Sequence, residues 1–238
     1  MTAKTPGTLY LIPTVLAEDT ADTVIPPEVI SAVANLTYFI VENARTARRY
    51  IKTVAPAHVI EELQIVVIDK DSSEAEVKKA LLPLQDGLSA GIISEAGCPG
   101  VADPGAEVVK FAHRQGIQVK PLVGPSAILL SLMASGFNGQ SFAFHGYLPI
   151  EKKDRIAAIR HLEKEMLQKD QTQIFMETPY RNNQLLQDVT QHLTPTNRLC
   201  IAANITAPNE FIKTDTVANW KKNLPDLHKQ PAVFLLYK

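Results

Sequence analysis

The chain has 238 residues, which is enough for one large or two small domains, each able to bury a hydrophobic core. Hydrophobic residues make up 45% of the sequence and charged residues 21%, a composition typical of soluble proteins. The formal net charge of −1 at pH 7 excludes a generally basic nucleic-acid-binding protein, but it leaves room for a local basic surface.

Cysteine and histidine usage argues against two kinds of site. The cysteines, Cys98 and Cys200, are isolated and form no CxxC motif, so no disulfide framework is expected and a reducing cytoplasm fits. The histidines show no HxxxH spacing, so we expect no metal site. The first six residues lack an apolar signal region and no apolar run approaches the length of a membrane span. The sequence therefore predicts a cytoplasmic protein without membrane contact.

Short apolar segments alternate with amphipathic segments along the first half of the chain. Strands are predicted over 7–12, 38–41, 65–68, 89–93 and 117–122. Helices are predicted over 26–36, 43–54, 73–84, 104–115 and 127–134, and Ser73 with Glu76 has the spacing of a capping box. This alternation is typical of a mostly parallel sheet that is covered on both faces.

A turn at 136–140 is the best candidate for a domain boundary, which gives domains over 1–135 and 136–238. Beyond it, strands are predicted over 142–145, 173–176, 199–203, 211–214 and 232–237, with helices over 151–168 and 179–192. The second sheet is expected to be mixed, because only residues 216–223 separate its last strands. The fold class is therefore α/β, with two α/β domains that share a cleft.

The segment from Ser94 to Gly105 is the most constrained loop in the sequence. Its glycines and prolines specify a shape, and it follows a strand at the edge where open α/β sheets bind ligands. Asp103 is predicted to cap the next helix, and Gly97 and Gly100 are expected to leave no room for a Cβ. The acids Glu95 and Asp103 suit hydroxyls, amines or a sulfonium better than phosphate. The alternative is a tight connection that binds nothing.

A basic stripe is predicted on one helix. Arg45, Arg48, Arg49 and Lys52 fall at i, i+3, i+4 and i+7, and so lie on one side of the helix. Such a stripe can follow a phosphate backbone, and we expect it to point away from the glycine-rich loop. An ordinary solvated helix surface has the same pattern.

Taken together, several segments resemble one family. They are 9–14, 94–105, 124–127, 146–149 and 177–181, and they are similar to the tetrapyrrole methylase superfamily, most of all to its ribosomal RNA small-subunit methyltransferase I group. That group methylates a cytidine ribose 2′-hydroxyl. The resemblance implies a homodimeric, two-domain enzyme that binds S-adenosyl-L-methionine in the cleft between its domains, and it implies ribosomal RNA or the small ribosomal subunit as partner.

The resemblance also implies cofactor contacts in both domains. By position they are Leu16, Cys98, Pro99, Gly100, Val101, Ser126, Ala127, Met176, Glu177, Ala203, Asn204, Pro231, Ala232 and Val233, and the loop prediction adds Glu95 and Gly97. For Leu16, Val101 and Val233, simple core packing is the alternative. Cys98 is expected to be a small wall residue and not a nucleophile, because no activating His or Lys adjoins it.

The sequence departs from the ribosomal RNA group at 16–23, 42–45 and 206–210, where polar side chains that can serve the acceptor are lost. Glu42 is the first candidate base, with Arg45 orienting it or holding phosphate, while Arg48, Arg49 and Lys52 are candidates for substrate binding. A structural role for Glu42, capping the next helix, is equally open. Glu177 is a second candidate base.

Three functions remain open at this point. The first is methylation of an RNA ribose, and the second is methylation of a tetrapyrrole or another non-RNA acceptor. The third is cofactor binding without turnover, for which the lost polar residues argue. The sequence does not choose between them.

Overall fold

The computed structural model describes residues 5–238, which form two compact units divided between Ser126 and Ala127. The predicted boundary lies nine residues later, after Ser135. The difference arises from helix α6 (Ala127–Ser135), whose Leu132 packs with Cys200 and Val233 in the core of the second unit. The turn at 136–140 therefore joins two elements of one unit.

The first unit alternates strands and helices, as the sequence predicts. Its strands are β1 (Thr8–Ile12), β2 (Tyr38–Val41), β3 (Gln64–Val67), β4 (Ala90–Ile93) and β5 (Gln118–Pro121). Its helices are α1 (Ala21–Val24), α2 (Pro27–Asn35), α3 (Ala44–Val54), α4 (Glu74–Gln85) and α5 (Gly105–Arg114), with a 3₁₀ turn at Ile60–Glu62. Most ends agree with the predicted ones to within two residues, but α1 was not predicted because four residues are too few for a helical period.

The strands of the first unit form a parallel sheet in the order β3-β2-β4-β1-β5. Both faces are buried. On one face Leu9 and Ile92 pack with Leu81 and Phe111, from α4 and α5. On the other, Ile12 and Phe39 pack with residues of α2 and α3, among them Val29, Val33, Ala47 and Ile51. Burial on both faces explains why the inner strands β2 and β4 are apolar throughout and do not alternate, whereas the edge strands β3 and β5 are partly exposed and include polar residues.

Side chains fix where two of these helices begin. The Asn43 side chain accepts from the backbone amide of Arg45 at 2.9 Å, so Asn43 is the N-cap of α3. Ser73 and Glu76 form the predicted capping box at the start of α4, which is confirmed.

The second unit is built on a mixed sheet. After α6 come β6 (Phe142–Tyr147), α7 (Lys152–Lys169), β7 (Thr172–Met176), α8 (Asn182–His192), β8 (Arg198–Ala203), β9 (Phe211–Thr216), α9 (Val217–Lys222) and β10 (Ala232–Tyr237). The strand order is β6-β7-β10-β8-β9, with β6 and β7 parallel and the other pairs antiparallel. The prediction of one parallel and one mixed sheet is confirmed.

The core of the second unit lies mainly between this sheet and helices α7, α8 and α9. Phe175 and Phe234, on neighbouring strands, stack with their ring centroids 5.8 Å apart. The buried Trp220 of α9 donates its indole N–H to the carbonyl of Leu199 at 2.8 Å. Across residues 5–238, no helix is both long enough and apolar enough to cross a lipid bilayer.

Candidate functional site

Three loops meet at the carboxyl edge of the parallel sheet. They follow β1, β4 and β5, which are neighbours in the sheet, so their ends lie side by side. The Thr14 amide donates to the Gly97 carbonyl at 2.8 Å, which joins the first loop to the second. The Cys98 thiol donates to the Pro125 carbonyl at 3.4 Å, which joins the second to the third. The glycine-rich loop is therefore held from both sides.

Asp103 folds this loop from within. Its carboxylate accepts from the backbone amides of Gly100, at 2.9 Å, and Gly105, at 2.7 Å. The prediction that Asp103 caps the next helix is confirmed, because its carboxylate accepts from the Gly105 amide and Pro104 between them already has helical dihedral angles, φ −66° and ψ −12°. The carboxylate also closes the loop onto the start of the helix.

Backbone conformation explains two of the glycines of the loop. Gly97 has φ +74° and Gly100 has φ +84°, in the left-handed region. A Cβ on Gly100 would meet nothing closer than 4.0 Å, and one on Gly97 would lie 3.3 Å from a methyl group of Leu16. The expectation that neither position has room for a Cβ is wrong for Gly100. Ala102, at φ +62°, shows that the loop holds even a non-glycine residue in this region.

Cys98 has the environment of a wall residue. Burial raises the pKa of its thiol, and the negative charge of Asp103 raises that pKa further. Both effects disfavour the thiolate, which is the nucleophilic form. The geometry therefore supports the prediction that Cys98 shapes the loop and does not react.

A cavity of about 370 Å³ opens beside these loops, entirely within the first unit. Its walls come from the loop after β1, from α3 and from the start of the glycine-rich loop. Two hydroxyls that line it, of Thr14 and Ser94, are buried and have no hydrogen-bond partner in the part of the chain described. Thr14 is 3% exposed and Ser94 is 8% exposed. Buried hydroxyls usually have partners, so these two indicate a place for a polar ligand.

Charged side chains surround the cavity, and most are acidic. Glu18, Asp19 and Glu95 line it, together with Arg49 as the cation. Arg49 is paired with Glu18 at 3.2 Å, and the Thr46 hydroxyl donates to Glu95 at 2.5 Å. The expectation that the basic stripe points away from the glycine-rich loop is therefore wrong for Arg49. Thr46 and Arg49 lie on the same turn of α3, and Thr46 contacts Glu95 of that loop.

The other members of the stripe differ in what they contact. All of them are exposed, on the side of α3 opposite its buried residues. Lys52 donates to the carbonyls of Pro56, at 2.7 Å, and His58, at 3.2 Å, so it satisfies carbonyls just beyond the end of the helix. The side chains of Arg45 and Arg48 make no hydrogen bond or ion pair within residues 5–238.

Glu42 stands directly after β2, at the same edge of the sheet. It lines a small cleft of about 10 Å³ together with Ser94 and Asp103. Burial raises the pKa of the Glu42 carboxyl, a backbone hydrogen bond from Glu95 lowers it, and the nearby charges of Glu95 and Asp103 raise it. The alternative role of Glu42 as a helix cap is wrong, because Asn43 caps α3. The structure shows no contact between Glu42 and Arg45 among the residues it describes.

The second unit presents its predicted contact residues at one edge of its own sheet. β7 and β8 end where β10 begins, because β10 is antiparallel to both. Val233 is paired with Met176 and Ala232 with Ala203, while the Asn204 amide donates to the Pro231 carbonyl at 2.9 Å. Residues far apart in sequence are thereby brought together.

Glu177 is the least satisfied acid at this edge. It is 3% exposed, and its Oε1 accepts from the Thr178 amide at 2.7 Å and from Arg181 at 2.5 Å. Its Oε2 is buried without a partner among the described residues, as is the Oδ1 of Asn182. A buried carboxylate oxygen with no donor is unfavourable, so Oε2 is an acceptor that one N–H or O–H of a ligand could satisfy.

Comparison with known proteins assigns the family. The model of the family described as "Tetrapyrrole (Corrin/Porphyrin) Methylases" matches residues 20–220, which is most of the chain. The chain belongs to this family. The predictions of the family and of a methyltransferase are confirmed.

Relatives in this family carry a more specific name. A "Ribosomal RNA small subunit methyltransferase I" from Buchnera aphidicola is 25% identical over 97% of this chain and 78% of its own length. The protein of that name from Thermotoga maritima is 30% identical over 68% of this chain and 72% of its own length. That from Vibrio cholerae is 34% identical over 60% of this chain, and the match spans about half (49%) of that protein.

Solved structures show the same fold. The methyltransferase CobJ superposes with a TM-score of 0.64 at 18% identity, covering 98% of this chain and 94% of its own. Uroporphyrin-III-C-methyltransferase from Thermus thermophilus superposes with a TM-score of 0.53 at 17% identity, covering 98% of this chain and 92% of its own. The predicted two-sheet α/β architecture is therefore that of the family.

The remaining predicted contacts have mixed surroundings. Leu16 is half-buried and lies beside Gly97. Val101 is 50% exposed, so the alternative that it packs in the core is wrong, whereas Val233 is 5% exposed and packs with Leu132. Ser126 and Ala127 stand where the two units divide.

The sequence predicts roles for Glu95 and Arg49 of the cavity but not for its hydroxyl-bearing residues. Thr14 and Ser94 fall inside the motif segments but were not assigned a role, and Thr46 lies within the stripe helix. The only signal in the sequence is that both hydroxyls stand within two residues of the end of an apolar strand, which places them at the carboxyl edge of the sheet.

Proposed function

We propose that this methyltransferase transfers a methyl group from S-adenosyl-L-methionine to a ribose 2′-hydroxyl of ribosomal RNA. The observation that carries the choice of acceptor is the match to relatives named as ribosomal RNA methyltransferases, one of which aligns with 97% of the chain. The exposed, unpaired Arg45 and Arg48 beside the cavity add a surface that suits a phosphate backbone.

The residues present fit the proposed methyl donor. In the second unit, the buried, unpartnered Oε2 of Glu177 suits an amine or hydroxyl of the donor. In the first unit, the shaped loop around Gly97 and Gly100 offers backbone groups and small walls. The donor would supply a methyl group already activated on a sulfonium, and Asp103, in the same loop, is an acid that suits a positive charge.

The chain must then align the hydroxyl and accept its proton. We assign this proton to the Glu42 carboxylate, which stands at the carboxyl edge of the sheet within the cleft shared with Ser94. Because burial raises the pKa of Glu42, its carboxylate is a stronger base than an exposed one. Arg45 and Arg48 would hold the neighbouring phosphates and keep the hydroxyl in place.

The test is transfer of label from the donor. Labelled S-adenosylmethionine is incubated with undermethylated small ribosomal subunits and, separately, with a small-metabolite extract. Label in the RNA ribose supports the proposal, label found only in small molecules supports the non-RNA acceptor, and donor binding without transfer supports a protein without turnover. Glu42→Gln should abolish most of the transfer, while Glu107→Gln, an exposed acid on α5, serves as its matched control.

We also propose that the enzyme is a homodimer. Helix α6 leaves Met133 78% exposed and Leu129 51% exposed, and such apolar surface is typical of an interface. Sedimentation equilibrium at micromolar concentration should give twice the chain mass of 26.1 kDa, and Met133→Lys should shift it toward that of one chain. A parent protein sedimenting as one chain would end the proposal. The cytoplasmic location stays a prediction.

A further inference from the structure

The cavity of the first unit has features that the proposed donor site does not use. It is about 370 Å³ in volume, within the range of small-molecule pockets, and its deeper wall carries the unpartnered Thr14 and Ser94 hydroxyls. A hydroxyl of this kind can donate to a ring nitrogen or to a carbonyl oxygen of a ligand. The cavity therefore offers two neutral donors at its buried side.

The charges of the cavity indicate which groups of a ligand can enter. Three carboxylates line it, those of Glu18, Asp19 and Glu95, while the charge of Arg49 is already paired with Glu18 at 3.2 Å. A phosphate would be repelled from such a lining, whereas an amine would find acceptors. The unpaired cations of the region, Arg45 and Arg48, do not line the cavity. Phosphates are therefore expected on the surface outside the cavity, and a group that carries hydrogen-bond donors is expected inside it.

Glu95 is the carboxylate best placed to select that group. Its Oε1 accepts from the Thr46 hydroxyl at 2.5 Å, which restrains the side chain while Oε2 can receive another donor. Carboxylates accept from the exocyclic amine of cytosine in known base recognition. The hydroxyls of Thr14 and Ser94 are suited to the acceptors that stand next to such an amine on the ring.

We propose that one unpaired, amine-bearing nucleobase of the acceptor enters this cavity and that Glu95, restrained by Thr46, is the residue that selects it. This inference rests on the proposed RNA acceptor. Such a site takes the base out of its stack, so single-stranded RNA is the form that fits.

The first experiment compares two nucleosides by calorimetry. Cytidine should bind, and 2-pyrimidinone riboside, which lacks only the 4-amine, should bind about tenfold more weakly, as is typical of losing a hydrogen bond to a charged group. In Glu95→Gln the two affinities should become similar, whereas in the control Glu107→Gln the tenfold difference should persist. Equal affinities in the parent, or an undiminished difference in Glu95→Gln, would overturn the assignment.

A competition arm separates this cavity from the donor site. Saturating S-adenosylhomocysteine should leave cytidine affinity unchanged, and Ser94→Ala should weaken cytidine while retaining affinity for S-adenosylhomocysteine. Competition between the two ligands would overturn the proposal, because the cavity would then belong to the donor.

The outcome can be told apart from failure of the proposed function. If RNA is methylated and Glu95→Gln reacts with the parent's kcat/KM, the function stands and the selection by Glu95 is overturned. If no RNA is methylated but cytidine binds with the Glu95 dependence described, the nucleobase site stands and the ribosomal acceptor is overturned.

Discussion

The Asp103 carboxylate is expected to set the shape of the glycine-rich loop. It accepts from two backbone amides, those of Gly100 at 2.9 Å and Gly105 at 2.7 Å, and so ties the middle of the loop to the first residue of α5. Replacing Asp103 with Ala removes both bonds and leaves the amides of a half-buried turn without their acceptor. The loop should then lose its preference for the conformation that holds Gly100 at φ +84°.

The magnitude follows from the number and kind of bonds. A hydrogen bond to a charged acceptor contributes roughly 1.5–3 kcal/mol, and partial exposure favours the lower end, so two bonds give about 3 kcal/mol for Asp103→Ala. Asp103→Asn keeps an acceptor oxygen but loses the charge, and about 1 kcal/mol is expected. A typical domain retains enough stability to stay folded after such a loss.

Urea unfolding measures the loss of stability, and calorimetry with S-adenosylhomocysteine measures the effect on the site. Asp103→Ala should lower both the free energy of unfolding and the affinity for S-adenosylhomocysteine by more than Asp103→Asn does. Asp86→Ala is the matched control, since its exposed side chain makes no hydrogen bond in residues 5–238. The reasoning is refuted if Asp103→Ala unfolds within about 0.5 kcal/mol of the parent, the range of ordinary surface substitutions.

Three further predictions concern other residues. Because burial raises the pKa of Glu42, its protonation favours the folded state, and that contribution is lost as pH rises through the raised pKa. The free energy of unfolding of Glu42→Gln, measured in urea, should therefore rise relative to that of the parent between acid and neutral pH. A difference that does not change with pH would contradict this. Arg155→Ala should lower the free energy of unfolding by about 3–5 kcal/mol, because it leaves the buried Asp188, now 2.7 Å from Arg155, unpaired; a loss below about 1 kcal/mol would count against it. Arg48→Ala should reduce the salt dependence of RNA binding by about one unit and Lys52→Ala should not, so equal slopes in filter binding would contradict the assignment.

The sequence alone determined the order of the strands and of the longer helices, without the short helices α1 and α9, and the position of the constrained loop. Buried strands such as Tyr38–Val41 are apolar throughout, and caps such as that of Ser73 with Glu76 act over a few residues, so both are readable locally. The motif segments were enough to indicate the family.

Tertiary structure decided how those segments divide and what they enclose. Helix α6 was assigned to the wrong unit, because its apolar sequence does not say which sheet Leu132 covers. The same holds for the site. Contacts between segments that are distant along the chain decide the pairing of Arg49 with Glu18. They also decide that the Thr14 and Ser94 hydroxyls lack partners among the described residues. Local patterns fix an element, but the partners of a side chain are set by packing, and only the folded chain brings them together.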